Sequence, residues 1–179
     1  DDYGVPKGYL GIHNSYGGTN SGTYKWAKSD SLGYATKFTD LVCTSFSHSN
    51  RYTIFAGDTD GSDNWAYICD MYPVETSNAE ENYPAFNYVN NYASTFSLTG
   101  DYAEGWYMPS IAELYYVLEF ERRTILNTVL SALDGTRLAT DCYWSSSQNE
   151  DYSYCVVSYS SRIIKNYTSY YVCVVRPFN

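Results

Sequence analysis

The sequence has few basic residues and no long apolar run. Its 179 residues include 11 Lys and Arg against 20 Asp and Glu, which gives a net charge of -9. A chain of this sign repels phosphate backbones and releases no counterions on meeting them, so nucleic acid is not expected as a partner. Because neither an apolar stretch of spanning length nor an N-terminal leader is present, we expect membrane attachment only through an anchor outside this chain.

Histidine is scarce as well. His13 and His48 are the only two, and both lie in stretches rich in Gly, Ser or Asn. Ser-His-Asp and Cys-His catalysis need a histidine beside a nucleophile, and no G-x-S-x-G elbow or phosphate-binding Gly loop occurs. We therefore expect no enzyme activity and no cofactor. The alternative is acid/base hydrolysis of a glycan by paired carboxylates, with Glu104 and Glu113 as candidates.

The cysteines show no metal-binding spacing. There is no CxxC pair and no His at zinc-ligand distance among the five, so zinc is not expected. An odd number leaves at least one thiol unpaired, and the others are either disulfides or small buried hydrophobes. The five are Cys43, Cys69, Cys142, Cys155 and Cys173.

One Asp-rich turn is a candidate for calcium, because Asp58, Asp60 and Asp63 alternate with other residues. The pattern is incomplete: Gly61 displaces the third ligand, and Cys69 occupies the position at which an EF-hand has its Glu. We predict no metal here and favour a turn in which the carboxylates cap their own backbone.

Tyrosine is the most over-represented side chain, with 22 copies against 7 Phe and 2 Met. Together with Ser, Asn and Gly it is typical of binding surfaces, since Tyr buries much area with few rotamers and the small polar residues supply hydrogen bonds. The alternative is a Tyr-rich β-sheet core.

The chain predicts one α+β domain over residues 1–179. Residues 1–63 read as short strands and long loops. A helix is expected from the Asn82-Tyr83-Pro84 segment, with Phe86, Val89 and Ala93 forming its apolar stripe. We expect two or three helices packed on a twisted antiparallel sheet.

A capping box marks a second helix start. Ser110 and Glu113 have the required spacing, so this helix begins at Ile111, and its apolar stripe continues through Leu114, Tyr115 and Leu118. A further helical stretch ends at Asp134-Gly135, and its predicted core face carries Ile125, Val129 and Leu133. The two pieces should meet near Arg122-Arg123.

Strands are predicted beyond Thr136. The runs at residues 142–145, 155–159 and 172–175 are apolar or aromatic, and the last two have apolar residues on both faces. They are expected to be central strands of an antiparallel sheet, joined by polar connections.

Three blocks carry a resemblance to a known bacterial family. They are residues 105–114 (GWYMPSIAEL), 143–148 (YWSSSQ) and 174–178 (VVRPF), all within residues 101–179. They resemble the Lcl C-terminal-type domain, which is related to the C-type lectin-like and formylglycine-generating-enzyme-like folds. The likeness is greatest to the variable proteins of diversity-generating retroelements, especially those displayed on the surface of treponemes.

The resemblance implies an extracellular ligand-binding protein on a bacterial cell surface, attached as a lipoprotein or adhesin. Its partner would be a protein or another cell-surface ligand. Calcium-dependent sugar binding is not implied, because the Glu-Pro-Asn and Trp-Asn-Asp motifs of sugar-binding C-type lectins are missing. A carbohydrate-binding adhesin module remains the alternative, and oligomeric state is left open.

The resemblance also predicts a variable region, residues 149–173. Diversification of AAY codons at adenines cannot yield Trp, Met, Gln, Glu or Lys, and between Asp151 and Asn179 only Lys165 belongs to that set. A β-meander rich in Ser, Tyr and Val would avoid the same residues.

The framework in this interpretation buries Trp144 and Phe178, and the polar stretches between them contact the ligand. The predicted contacts are Asn149, Asp151, Tyr152, Tyr154, Tyr159, Arg162, Tyr167 and Tyr170. Tyrosines would be the anchors and the remaining residues the hydrogen-bonding partners.

Overall fold

A computed structural model describes residues 8–10, 24–29, 32, 42–46, 53–56, 59–149, 152–156, 160–166 and 169–177. For residues 8–10, 42–46, 53–56, 120, 149, 152–156 and 160–164 it describes the backbone. The strands are β1 (Gly8–Leu10), β2 (Val42–Phe46), β3 (Thr53–Ala56), β4 (Tyr143–Asn149), β5 (Tyr152–Val156), β6 (Ser160–Ile164), β7 (Tyr171–Val172) and β8 (Val175–Pro177). The helices are α1 (Asn64–Met71), α2 (Pro73–Thr76), α3 (Ala79–Asn82), α4 (Pro84–Asn90), α5 (Tyr92–Thr95), α6 (Ile111–Leu118) and α7 (Phe120–Ala132), with a 3-10 turn at Gly100–Tyr102. These elements confirm the α+β class.

The largest sheet has the strand order β6-β5-β4-β7. β4 pairs antiparallel with β5, and β5 pairs antiparallel with β6, whereas β7 runs parallel to β4. β5 begins at Tyr152, within a stretch predicted as a connection, and β6 occupies residues from Ser160 onward that were likewise predicted as a connection. Two further antiparallel pairs join β1 to β8 and β2 to β3. An entirely antiparallel sheet was therefore the wrong expectation.

The prediction of one central strand over residues 172–175 is also wrong. The run divides into β7, at the edge of the large sheet, and β8, which pairs with β1. Cys173 and Val174 lie between the two strands and are fully buried, so the apolar run is explained by burial on both sides. An unbroken apolar run indicates burial but does not fix which strand is the partner.

Strand β4 separates two hydrophobic cores. Trp144 packs in one core with Trp26, Phe86 and Val172, and its neighbour Tyr143 packs in the other with the apolar face of α6. Successive side chains of a strand point to opposite faces, which explains the division. Trp144 is fully buried, as predicted; Phe178 lies outside the described residues.

Helix α6 begins at Ile111 with the predicted capping box. The Ser110 hydroxyl accepts from the Glu113 backbone N–H, and the Glu113 carboxylate accepts from the Ser110 backbone N–H at 2.8 Å. The same carboxylate accepts from Gly61 N at 3.0 Å and from the Tyr107 hydroxyl at 2.6 Å. Glu113 thus joins the start of α6 to Gly61, which is distant in sequence, and to the nearby Tyr107.

Helix α7, the second predicted helical stretch, packs on the core with a different face from the one predicted. Ile125, Val129 and Leu133 are 65%, 49% and 62% exposed, whereas Leu130 is buried. The helices meet at Glu119, whose ψ of 138° is extended, and not at Arg122-Arg123. Because α6 ends earlier than predicted, α7 starts in a different rotation about its axis. The row of Ile125, Val129 and Leu133, which periodicity placed on the core, therefore faces solvent. The end of α7 before Asp134-Gly135 is confirmed.

Upstream, Pro84 occupies the first turn of α4 as predicted, and Phe86 and Val89 are buried. The predicted stripe does not extend to Ala93 on the same helix, because α4 ends at Asn90 and Ala93 belongs to α5. Residues 64–82, where no helix was predicted, form three short helices interrupted at Tyr72 and at Ser77 and Asn78. Ring contacts hold this region on the core: the Trp65 and Phe86 rings stack at 4.9 Å, and Trp26 meets Phe86 edge-on at 5.0 Å. Over the described ranges, every helix is too short or too polar to cross a bilayer.

Replacing Gly61 by Ala should destabilise the fold by about 2–3 kcal/mol, because a Cβ there would lie 2.4 Å from Ser110 N and 2.7 Å from Met108 O. These are backbone atoms that cannot move aside. Urea unfolding of Gly61→Ala measures the loss. Gly100→Ala is the control: it has a φ of +61° but no atom within 4 Å, so it should cost only about 1 kcal/mol of backbone strain. Equal costs for the two variants would contradict the close packing at Gly61.

Candidate functional site

A row of buried polar residues leads to the predicted binding region. Ser145, Ser146, Ser147 and Gln148 are each fully buried in β4. The Ser145 carbonyl accepts from Trp26 Nε1 at 3.0 Å, and the Ser146 hydroxyl accepts from Asn64 Nδ2 at 2.8 Å. Buried polar groups need such partners, because leaving one unpaired costs as much as its lost hydration.

The same row fixes the position of α6 against the sheet. Ser146 N donates to the Pro109 carbonyl at 2.8 Å, and the Ser147 hydroxyl accepts from Ile111 N at 2.9 Å. Ile111 N is one of the helix-terminal N–H groups that lack an intrahelical acceptor. The serines therefore register β4 against the start of α6 with backbone bonds as well as side-chain bonds.

Gln148 ends the row and is bonded to Lys165. The fully buried Lys165 Nζ donates to Gln148 Oε1 at 2.6 Å and to the Leu32 carbonyl at 3.1 Å. Its ammonium also lies 4.7 Å from the centre of the Trp26 ring, a cation-π contact. A buried lysine is tolerated only with such partners. We call the side-chain pair of Gln148 and Lys165 the clamp.

The clamp joins the two residues that flank residues 149–164, and this segment contains most of the predicted contacts. Asn149 is in register with Tyr152, and Tyr154 is in register with Arg162. Directly opposed residues of an antiparallel pair share a face, and so do residues two apart in one strand. The positions of Asn149, Tyr152, Tyr154 and Arg162 thus belong to one face of three adjacent strands.

Tyr170 directly precedes β7, at the edge of the sheet opposite β6. It forms a backbone bridge with Tyr24, and its half-buried ring meets Trp144 edge-on at 4.9 Å. Much of this predicted anchor is thus packed on the core. Asp151, Tyr159 and Tyr167 lie outside the described residues. Within the predicted variable region, Lys165, Val172 and Cys173 are fully buried and belong to the framework.

Glu113, the first hydrolase candidate, is 4% exposed. Burial raises the pKa of its carboxyl, while the bonds from Tyr107, Ser110 and Gly61 act in the opposite direction and nearby Asp60 adds to the rise. Burial and the Glu113 charge also raise the pKa of the Tyr107 hydroxyl. With three donors on its two oxygens, Glu113 has a structural role.

Glu104, the second hydrolase candidate, is exposed at a surface cavity of about 490 Å³. Its backbone carbonyl accepts from Nε of the buried Arg176 at 2.9 Å, and Gly105, at a φ of +83°, leaves room for that side chain. The cavity is lined by Gly100, Asp101, Glu104, Gly105, Arg176 and Pro177. Glu113 is engaged at the start of α6 and is not part of this lining, so the two candidates do not form a pair there.

The Asp-rich turn caps itself, as predicted. Asp60 Oδ1 accepts from Ser62 N at 2.8 Å, which is an Asx turn. Asp58 lies outside the described residues, and among those described no three His, Cys, Asp or Glu side chains converge as metal ligands. Cys69 and Cys173 are free thiols, and burial raises the pKa of Cys173 to about 12, which makes this thiol unreactive.

Sequence reasoning missed the contribution of Lys165, Trp26 and Asn64 to the site. From the sequence, Lys165 stood out only as a residue that adenine mutagenesis cannot produce; its burial and its bond to Gln148 were not predicted. Trp26 and Asn64 reach β4 from more than eighty residues away, so no local pattern identifies them. The YWSSSQ block, noted for its resemblance, was the available signal, because it contains the four buried polar residues of β4.

No protein-family model matches this chain, and no curated protein does. Among solved structures, a fimbrial protein from Bacteroides ovatus ATCC 8483 is similar, with a TM-score of 0.58 over 94% of this chain and 19% sequence identity. The chain spans 35% of the length of that protein. At this identity the likeness concerns the fold alone.

Removing the cation of the clamp should destabilise the protein. Lys165→Met leaves Gln148 Oε1 and the Leu32 carbonyl without their donor, so we expect a loss of about 2–4 kcal/mol in the free energy of unfolding. Lys28→Met is the control, because this half-exposed lysine pairs with Glu81 at the surface, where solvent screens the pair, and its loss should change the free energy of unfolding much less. If urea midpoints of the two variants agree, the buried bonds contribute nothing beyond a surface pair.

Adding Gln148→Leu to Lys165→Met should restore part of the loss, since both buried polar groups are then gone.

The raised pKa of Glu113 predicts a specific pH dependence. Its folded pKa lies above its unfolded value, so folding takes up protons between the two values. The contribution of this carboxyl to stability is therefore complete below the unfolded pKa and is lost as pH rises through the folded pKa. The stability difference between wild type and Glu113→Gln should accordingly be larger at pH 4 than at pH 8. Thermal or urea unfolding across this range measures it, with the exposed Glu121→Gln as control. A difference that grows with pH would mean that the fold prefers the ionised form.

Proposed function

We propose that this chain is a ligand-binding domain displayed on a bacterial cell surface, with a C-type lectin-like fold of the diversity-generating-retroelement type. Its ligand is a protein or another cell-surface molecule, bound non-covalently by the strands and connections of residues 149–173. Neither enzyme activity nor a cofactor is part of the proposal. The fimbrial neighbour supports the coarser idea of a surface-exposed, adhesin-like protein.

The observation that carries this proposal is the clamp. Gln148 and Lys165 are fully buried, bonded at 2.6 Å, and placed immediately before and after residues 149–164. A recognition surface gains affinity when its backbone is held in the bound conformation beforehand. Because the framework supplies that restraint from outside the segment, side chains within it can differ without loss of the fold.

The composition of the framed segment supports binding as well. Residues 149–164 include three tyrosines, an arginine and several serines. Tyrosine and arginine are enriched at the energetic centres of protein interfaces, and serine provides adaptable hydrogen bonds around them. Asn149, Tyr152, Tyr154 and Arg162 occupy positions on the same face of β4, β5 and β6.

A glycan hydrolase is not supported by a comparable observation. The Glu113 carboxylate already accepts three hydrogen bonds and is nearly inaccessible, whereas Glu104 is exposed beside Arg176. Paired-carboxylate catalysis needs both groups at one substrate.

Two matched yeast-display libraries test the proposal. One randomises Asn149, Tyr152, Tyr154 and Arg162, and the other randomises the adjacent Ser145, Ser146, Ser147 and Gln148. We expect most members of the first library and few of the second to resist protease, because the second disrupts buried hydrogen bonds. Selection of the first library on a set of unrelated proteins should then yield binders. Equal protease sensitivity in both libraries would place the four positions in the framework, and a resistant library without binders would remove recognition from this face.

A further inference from the structure

Strand β6 forms one edge of the four-stranded sheet. All five of its residues pair with β5 in continuous register, from Ser160 opposite Val156 to Ile164 opposite Tyr152. Among the described strands, β6 has no neighbour on its other side. The opposite edge differs, because the bridge between Tyr24 and Tyr170 continues the pairing just before β7.

The sequence of β6 has few of the devices that protect an edge strand. Exposed edges are usually blocked by Pro, Lys, a bulge or an inward charge, since their free N–H and C=O groups can pair with another chain. β6 reads Ser-Ser-Arg-Ile-Ile, without Pro, Lys or carboxylate, and its register with β5 shows no bulge. Arg162, at its centre, is the one charged residue.

We propose that the outer edge of β6 binds an extended segment of a partner protein as an additional strand, with an acidic residue opposite Arg162. The inference rests on the proposed function, because it names the class of partner for the same surface. Main-chain hydrogen bonds supply the affinity in this mode of recognition, and alternate side chains supply the specificity.

The charge of Arg162 selects this partner over a second copy of the chain. Two β6 strands paired antiparallel about their centres would oppose Arg162 to itself, and like charges directly opposite destabilise a ladder. A carboxylate at that position is favourable. The neighbouring ladder position of Arg162 in β5 is Tyr154, so the added strand would lie beside two predicted ligand contacts.

Short peptides and the full chain provide the test. The probe is a capped seven-residue peptide of alternating Thr and Val with Glu at its centre, titrated into ¹⁵N-labelled protein and followed by NMR. Two matched peptides carry Lys in place of Glu, or N-methyl groups on three consecutive central residues, which remove main-chain donors. Arg162→Glu is the variant, with Arg137→Glu, at an exposed position off the sheet, as its control.

The Glu peptide should shift amide signals of β6, with the Lys peptide binding about three- to tenfold more weakly and the N-methylated peptide not at all. Arg162→Glu should reverse the preference for Glu over Lys, and Arg137→Glu should leave it unchanged. Failure of every peptide to bind, shifts away from β6, or equal binding of the N-methylated peptide would overturn the inference. If the randomised face yields binders while these peptides fail to bind, the proposed ligand-binding function is supported and strand addition at β6 is rejected.

Discussion

The buried carboxylate of Glu113 is the interaction on which the rest of the structure depends. It accepts hydrogen bonds from Gly61, Tyr107 and Ser110, so it joins the turn at Gly61 to the segment that leads into α6. With that turn fixed, Pro109 and Ile111 present a carbonyl and an N–H to Ser146 and Ser147. Each bond in this series positions the next, and the series ends at Gln148, the base of the proposed binding segment.

This arrangement places polar groups where a larger apolar core would serve stability equally well. Burying hydroxyls, an amide and an ammonium gains little free energy over well-packed hydrophobic side chains. Hydrogen bonds are directional, however, so a row of them admits one register of β4 against α6, whereas apolar contacts tolerate sliding. A domain whose ligand contacts differ from copy to copy would need such a restraint outside the contacts themselves.

Local signals predicted the parts of the fold that local physics determines. The capping box gave the start of α6, Pro84 gave α4, and the end of α7 followed from Asp134-Gly135. The face of α7 was wrong, because a one-residue break at Glu119 changed its rotation on the core. The run at residues 172–175 was split by pairings with β4 and β1 that no window of sequence contains. For the site, neither β6 nor its register with β5 was predicted, because the polar residues from Ser160 onward indicated a connection. The partners of Lys165 come from Leu32, Trp26 and Gln148 and also required the tertiary structure.

The exposed row of Ile125, Val129 and Leu133 has a consequence for how this acidic chain behaves in solution. Residues 124–133 carry no charge, so this ridge is apolar on a molecule with a net charge of -9. At low ionic strength that charge keeps copies apart over a Debye length of about 30 Å, but in molar salt the length falls to about 3 Å while apolar attraction persists. Concentrated salt therefore favours precipitation through this ridge, and dilute buffer keeps the protein dispersed.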